Sequence, residues 1–132
     1  MEFSPTGRFL VVGDREPARL RVFDRQVGFR LTIGEDVTSS PTSLTFESPT
    51  SFLAGLDDGR FVEYRIDPSS QRLVKVWTNS ALRGISYIAA IALDETSQIL
   101  ALAVGPSVFV FSRVSETGEV PSFFSYHNLC PV

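Results

Sequence analysis

The sequence predicts an all-β fold, a partial β-propeller of about three four-stranded antiparallel blades, the first lacking its innermost strand. Three observations predict it. No stretch sustains a helical period. Apolar residues come instead in runs of four to eight, cut by Gly, Pro, Asp, Ser and Thr. A recurring unit, spaced 43 residues from Phe3 to Phe46 and 47 from Phe46 to Leu93, completes the case. Four strands per unit and a period in the forties are the pattern of propeller blades.

The elements follow in order. Met1 falls at the turn after an innermost strand, so the first blade is expected without one. Pro5-Thr6-Gly7 leads into a strand over 8–12, then strands over 19–23 and 29–33. Phe29 to Ile33 alternates apolar and polar, so one face should meet water. The second unit has strands over 43–46, 51–56, 61–66 and 73–77, with Asp57-Asp58-Gly59 as the hairpin turn, since Asp and Gly tolerate positive φ. The third has 86–93, 99–104 and 108–111, with a weak strand over 122–126. Ile99 to Val104 is apolar throughout, so both faces should be buried. Ser48-Pro49-Thr50 and Glu95-Thr96-Ser97 are further reversals. The blades then span about 1–34, 42–78 and 85–126, leaving 127–132 as a tail.

Composition narrows the function. The 132 residues suit one domain and are 43% hydrophobic and 20% charged, as in a folding chain. Cys130 is the sole cysteine and His127 the sole histidine, so no disulfide framework or Cys/His zinc site can be built. No cofactor is expected, because neither a Gly-rich phosphate cradle nor a calcium-loop spacing occurs. A net charge of −3 argues against general affinity for nucleic acid. The longest apolar runs are six residues, where a membrane helix needs about 20, and the N-terminus has no signal pattern. An intracellular chain with no membrane partner is the expectation.

The three copies carry a resemblance. The first reads Phe3-Ser4-Pro5-Thr6-Gly7-Arg8, a small-residue strand to Gly13, then Leu20-Arg21-Val22-Phe23-Asp24. The second runs from Leu44-Thr45-Phe46 through Gly55 to Phe61-Val62-Glu63-Tyr64. The third runs from Ala90-Ile91-Ala92-Leu93 through Ala103 to Val108-Phe109-Val110-Phe111. Over about residues 3 to 125 the chain resembles the WD-repeat family. The departures are specific. The family's terminal Trp is Phe23, Tyr64 and Phe111 here, its Asp survives only as Asp24, and the Gly-His pair is absent from every copy. The family's buried Trp–Ser/Thr–His–Asp network therefore has no counterpart, and aromatic packing must hold the blades. Asp58 reads as a turn former.

The resemblance implies a non-catalytic scaffold for a protein or peptide partner, with self-association or pairing with further blades to complete a ring. Partner contacts are expected on loops joining second to third strands and on loops joining blades, at Asp14, Arg15, Glu16, Asp57 and Arg83. Arg is the cation favoured in interfaces, since its planar group pairs and stacks. No catalytic or metal-binding residue is expected, because no nucleophile, base and orienter converge. His127 and Cys130 fall in the tail. The alternative is a piece of a lactonase-type propeller hydrolase, which the segments 65–73 and 112–118 also resemble. Among the Ser-Pro pairs, Ser4 and Ser48 suit turns. Ser40, in a long polar loop, is the candidate for phosphorylation.

Overall fold

The computed structural model describes residues 1–94, 96, 98–114 and 122–128. The chain forms three four-stranded antiparallel sheets, each a meander in sequence order. Sheet 1 contains β1 (Glu2–Phe3), β2 (Phe9–Arg15), β3 (Ala18–Asp24) and β4 (Arg30–Asp36). Sheet 2 contains β5 (Pro41–Phe46), β6 (Ser51–Leu56), β7 (Phe61–Asp67) and β8 (Arg72–Asn79). Sheet 3 contains β9 (Ile88–Asp94), β10 (Ile99–Val104), β11 (Ser107–Val114) and β12 (Ser122–Asn128). The fold is a partial propeller of three blades, with sheet 2 in the middle.

Four local outcomes differ from the sequence reading. The innermost strand of the first blade, expected to be missing, is a stub of two residues. Glu2 and Phe3 pair with Val11 and Leu10. The strand expected from Phe29 starts at Arg30, because Phe29 has φ +56° and closes a 3-10 turn capped by Asp24. The strand expected from Ser86 starts at Ile88. The boundary drawn before His127 falls inside β12, where His127 and Asn128 continue the ladder opposite Val110 and Phe109. Cys130 and the rest of the tail, residues 115–118, and Glu95 and Ser97 of the third reversal lie outside the described residues.

Two apolar layers hold the sheets together. Phe9, Val11, Leu20, Val22 and Ile33 of sheet 1 meet Phe46, Phe52, Ala54, Leu56 and Tyr64 of sheet 2. The other face of sheet 2, with Leu53 and Phe61, meets Leu100, Leu102, Val104, Phe109 and Phe111 of sheet 3. Rings carry much of this packing. Phe52 stacks on Tyr64 at 5.6 Å, and Phe61 meets Phe111 edge-on at 5.0 Å. Each fully buried Phe contributes about 1.5–3 kcal/mol over leaving it in water.

The repeat is visible in the registers. Ser4 and Ser48 occupy matching turns, and their hydroxyls accept the N–H of Phe9 and of Ser51, each at 3.0 Å. One cross-strand row recurs in every sheet: Phe3–Leu10–Phe23–Leu31, Phe46–Phe52–Tyr64–Lys75 and Leu93–Leu100–Phe111. The second row packs on sheet 1 and the third on sheet 2. Sheets 2 and 3 thus each turn this row, on a leading face, toward the preceding sheet, and the opposite face is the trailing one; the matching row of sheet 1 marks its leading face.

Candidate functional site

The turns that join second to third strands all lie at one end of the sheets, where β5 and β9 also begin. A cleft of about 830 Å³ opens there, lined by Gly13, Arg15, Pro41, Thr42, Asp57, Tyr87 and Ala89. All three sheets contribute. Gly13 makes the close approach of β2 and β5 feasible, because a Cβ there would lie 2.8 Å from the Pro41 Cβ. The Thr42 hydroxyl lies within hydrogen-bond reach of the Ile88 carbonyl at 2.6 Å and of the Gly55 carbonyl at 3.1 Å, joining β5 to both neighbours.

Hydrogen bonds fix the loops around the cleft. The Ser40 hydroxyl donates to the Arg15 carbonyl at 3.0 Å, and the Asp57 N–H donates to the Ser40 carbonyl at 2.9 Å. The site flagged for phosphorylation is therefore a half-buried strut between two turns. Next to it, Asp58 forms the expected turn and does more. Its carboxylate accepts from the Arg60 N–H at 3.1 Å, the Arg60 guanidinium at 2.7 Å and the Ser39 hydroxyl at 3.1 Å. Partial burial opposes the ionised form, but these donors outweigh it and leave the Asp58 pKa below the usual carboxylate value. Gly59 follows at φ +92°, with the Leu82 carbonyl pressed against the place a Cβ would take.

Of the five residues expected to meet a partner, Arg15 and Asp57 line the cleft, and both are exposed. Arg15 has no ion pair among the described residues. Asp14 is engaged elsewhere: its carboxylate holds the Arg21 guanidinium through two bonds of 2.6 and 2.9 Å. Glu16 is exposed in the turn after Arg15 and does not line the cleft. Arg83 is exposed in the turn over 80–84, which is fastened by the Gly84 N–H to the Asp58 carbonyl at 2.8 Å, and it too lies outside the lining.

Sequence reasoning missed Tyr87. It was assigned to the interior of a strand, but β9 starts one residue later and leaves the ring 53% exposed at the cleft mouth. A tyrosine between Ser86 and an apolar strand is the available signal, since an amphipathic ring suits a strand entrance. The cleft offers a cation, a carboxylate and a phenol beside the apolar Pro41 and Ala89. It is equipped to bind by hydrogen bonds, charge and stacking. Among the described residues no three His, Cys, Asp or Glu side chains group to hold a metal ion, and no helix is long and apolar enough to cross a membrane.

No family model and no curated protein matches the chain. Solved structures do. A chain in the crystal structure of the mitotic checkpoint complex is 17% identical, with a TM-score of 0.65, over 78% of this chain and 32% of that one. Sqt1 from Chaetomium thermophilum is 16% identical, with a TM-score of 0.67, over 84% of this chain and 31% of that one. This chain spans about a third of the length of either. At such identities the likeness shows the fold alone.

Proposed function

We propose that the chain is a non-catalytic protein-interaction scaffold whose partner is a protein or peptide segment held in the cleft where β5 and β9 begin. One observation carries this reading: Arg15 at the end of β2, Asp57 just after β6 and Tyr87 just before β9 converge on one cleft whose loops are braced by hydrogen bonds. A site on braced loops loses little freedom when a partner binds, so more of its contact energy appears as affinity. Arg and Tyr are also the residue types that dominate interfaces when truncated. One of the two structural neighbours is a chain of the mitotic checkpoint complex, which fits the same class of role.

Selection of a peptide from a random displayed library, followed by calorimetric titration of wild type and variants, tests the reading. Arg15→Ala and Tyr87→Ala are each expected to weaken binding about tenfold or more, a typical cost for truncating an interface anchor. Arg65→Ala, exposed on β7 and away from the cleft, serves as the unchanged control. Equal binding by all three variants would sink the cleft as the site.

A further inference from the structure

The meander order puts the β3–β4 and β7–β8 turns at the end of the sheets opposite the cleft. A groove of about 400 Å³ lies between these two turns. Val27, Arg30 and Ile33 form its wall on sheet 1, and Ile66, Pro68 and Gln71 form its wall on sheet 2. Sheets 1 and 2 pack on each other within the chain, so both walls are in place. A second cleft of about 540 Å³ adjoins the groove, lined by Thr6, Arg8, Arg25 and Gln26, and the two share Arg8 and Gln26.

These linings are positive. They hold three arginines and one carboxylate, that of Asp24, which is buried and already held by Arg8 through two bonds of 3.2 Å. Arg25 and Arg30 are exposed and have no ion pair among the described residues. The Asp67 carboxylate, at the end of β7, is turned into its own loop, where it accepts from the Ser69 N–H at 3.1 Å and the Ser70 N–H at 3.4 Å. The whole chain has a net charge of −3, so two free cations beside one groove run against the overall sign. Their setting is braced. Arg25 opens the 3-10 turn, and its N–H donates to the Arg8 carbonyl at 2.8 Å, while the Phe29 N–H donates to the Asp24 carbonyl at 2.8 Å. The Arg8 guanidinium also lies 4.7 Å over the Phe9 ring. Cations on a braced turn lose little freedom when an anion docks.

We propose that this groove is a docking site for an acidic segment of a partner protein, with carboxylates on Arg25 and Arg30 and an aliphatic side chain between Val27 and Pro68 over Ile66. This goes beyond the cleft and does not depend on it. Charge selects the sign of the occupant, since free guanidinium groups pair with carboxylates in a planar, bidentate fashion. The apolar strip selects a peptide over a simple anion: Val27 is 47% exposed and gives a small anion no partner, whereas an aliphatic side chain would cover it. The adjoining linings run from Thr6 to Gln71, which suits an extended segment, and the exposed Gln26 and Gln71 offer amide groups to its backbone.

Fluorescence anisotropy of a labelled peptide of alternating Glu and Leu tests the proposal, with a Lys and Leu peptide as the charge-reversed control. The Glu peptide is expected to bind and the Lys peptide to stay free. Arg25→Glu and Arg30→Glu are each expected to weaken binding about tenfold or more. Val27→Ser is expected to weaken it about threefold. All three positions are exposed, so each variant keeps its fold by circular dichroism. Lys75→Glu, an equal charge change on β8 outside both linings, should leave affinity in place, and so should Arg15→Ala at the other end. Absence of binding, or an equal loss in Lys75→Glu, would overturn the proposal. Displacement by equimolar inorganic phosphate, or unchanged affinity in Val27→Ser, would reveal a simple anion site instead. A loss confined to Arg15→Ala would put the peptide in the cleft and overturn this groove while leaving the cleft standing.

Discussion

Asp24 and Asp58 use the same chemistry at opposite ends of their sheets. Asp24 is buried, accepts from the Arg8 guanidinium through two bonds of 3.2 Å and caps the following turn through the Gln26 N–H at 3.0 Å. The Arg8 bonds hold its pKa below the usual carboxylate value despite burial. A carboxyl with a depressed folded-state pKa stabilises the fold above its unfolded value, and that stabilisation is lost as pH falls through the folded value. Asp24→Asn should therefore cost roughly 1.5–3 kcal/mol at neutral pH, the usual scale for hydrogen bonds to a charged group. In thermal melts from pH 7 down to pH 2, the gap between variant and wild type should close at the acid end. A gap constant with pH would show that the Asp24 charge carries no such role. The Arg8–Asp24 pair was not legible in the sequence, because its members stand 16 positions apart and only the fold of β2 and β3 brings them together. Turn chemistry was enough to expect Arg15 and Asp57 near strand ends, and the structure has Arg15 closing β2 and Asp57 following β6, both lining the cleft. Tyr87 was not, because a strand boundary off by two residues hid its exposure.

At the scale of the element, the repeat makes a controlled comparison available. Leu10 and Phe52 hold the same place in their sheets, yet Phe52 is sealed between two sheets and Leu10 faces outward. Phe52→Ala should destabilise by about 3–5 kcal/mol, the cost of emptying a buried aromatic site. Leu10→Ala, measured by urea unfolding in dilute protein, should cost about 1 kcal/mol or less. Equal costs would mean that the leading face of sheet 1 is covered in some other way. The strands themselves were largely legible, because period-two alternation and turn residues mark their middles. Their ends were less so. β1 has only two residues of pairing, too short to leave a pattern. The start of β4 depends on Asp24 capping a 3-10 turn, a tertiary consequence of the end of β3. The end of β12 depends on the length of its partner β11.

At the scale of the molecule, the count of three blades came from spacing alone, since a 43- to 47-residue period survives even where the residues of a motif do not. The way the blades share their surfaces did not. Which face of each sheet leads, and which rows are left open at the two ends, follows only from the stacking of sheet on sheet. One further property of that stacking concerns light. Trp77, the sole tryptophan, packs with the layer between sheets 2 and 3 and meets Phe61 edge-on at 5.7 Å. The layer between sheets 1 and 2 contains no indole. Intrinsic emission is therefore a local signal from one layer, whereas circular dichroism sums over both. Phe61→Leu should shift the emission maximum of the folded protein, and Phe9→Leu, in the other layer, should leave it in place. A shift in both would show that the layers are mechanically coupled through sheet 2. A shift in the first alone would give the molecule an optical gauge that reads the third blade coming loose while the first two remain joined.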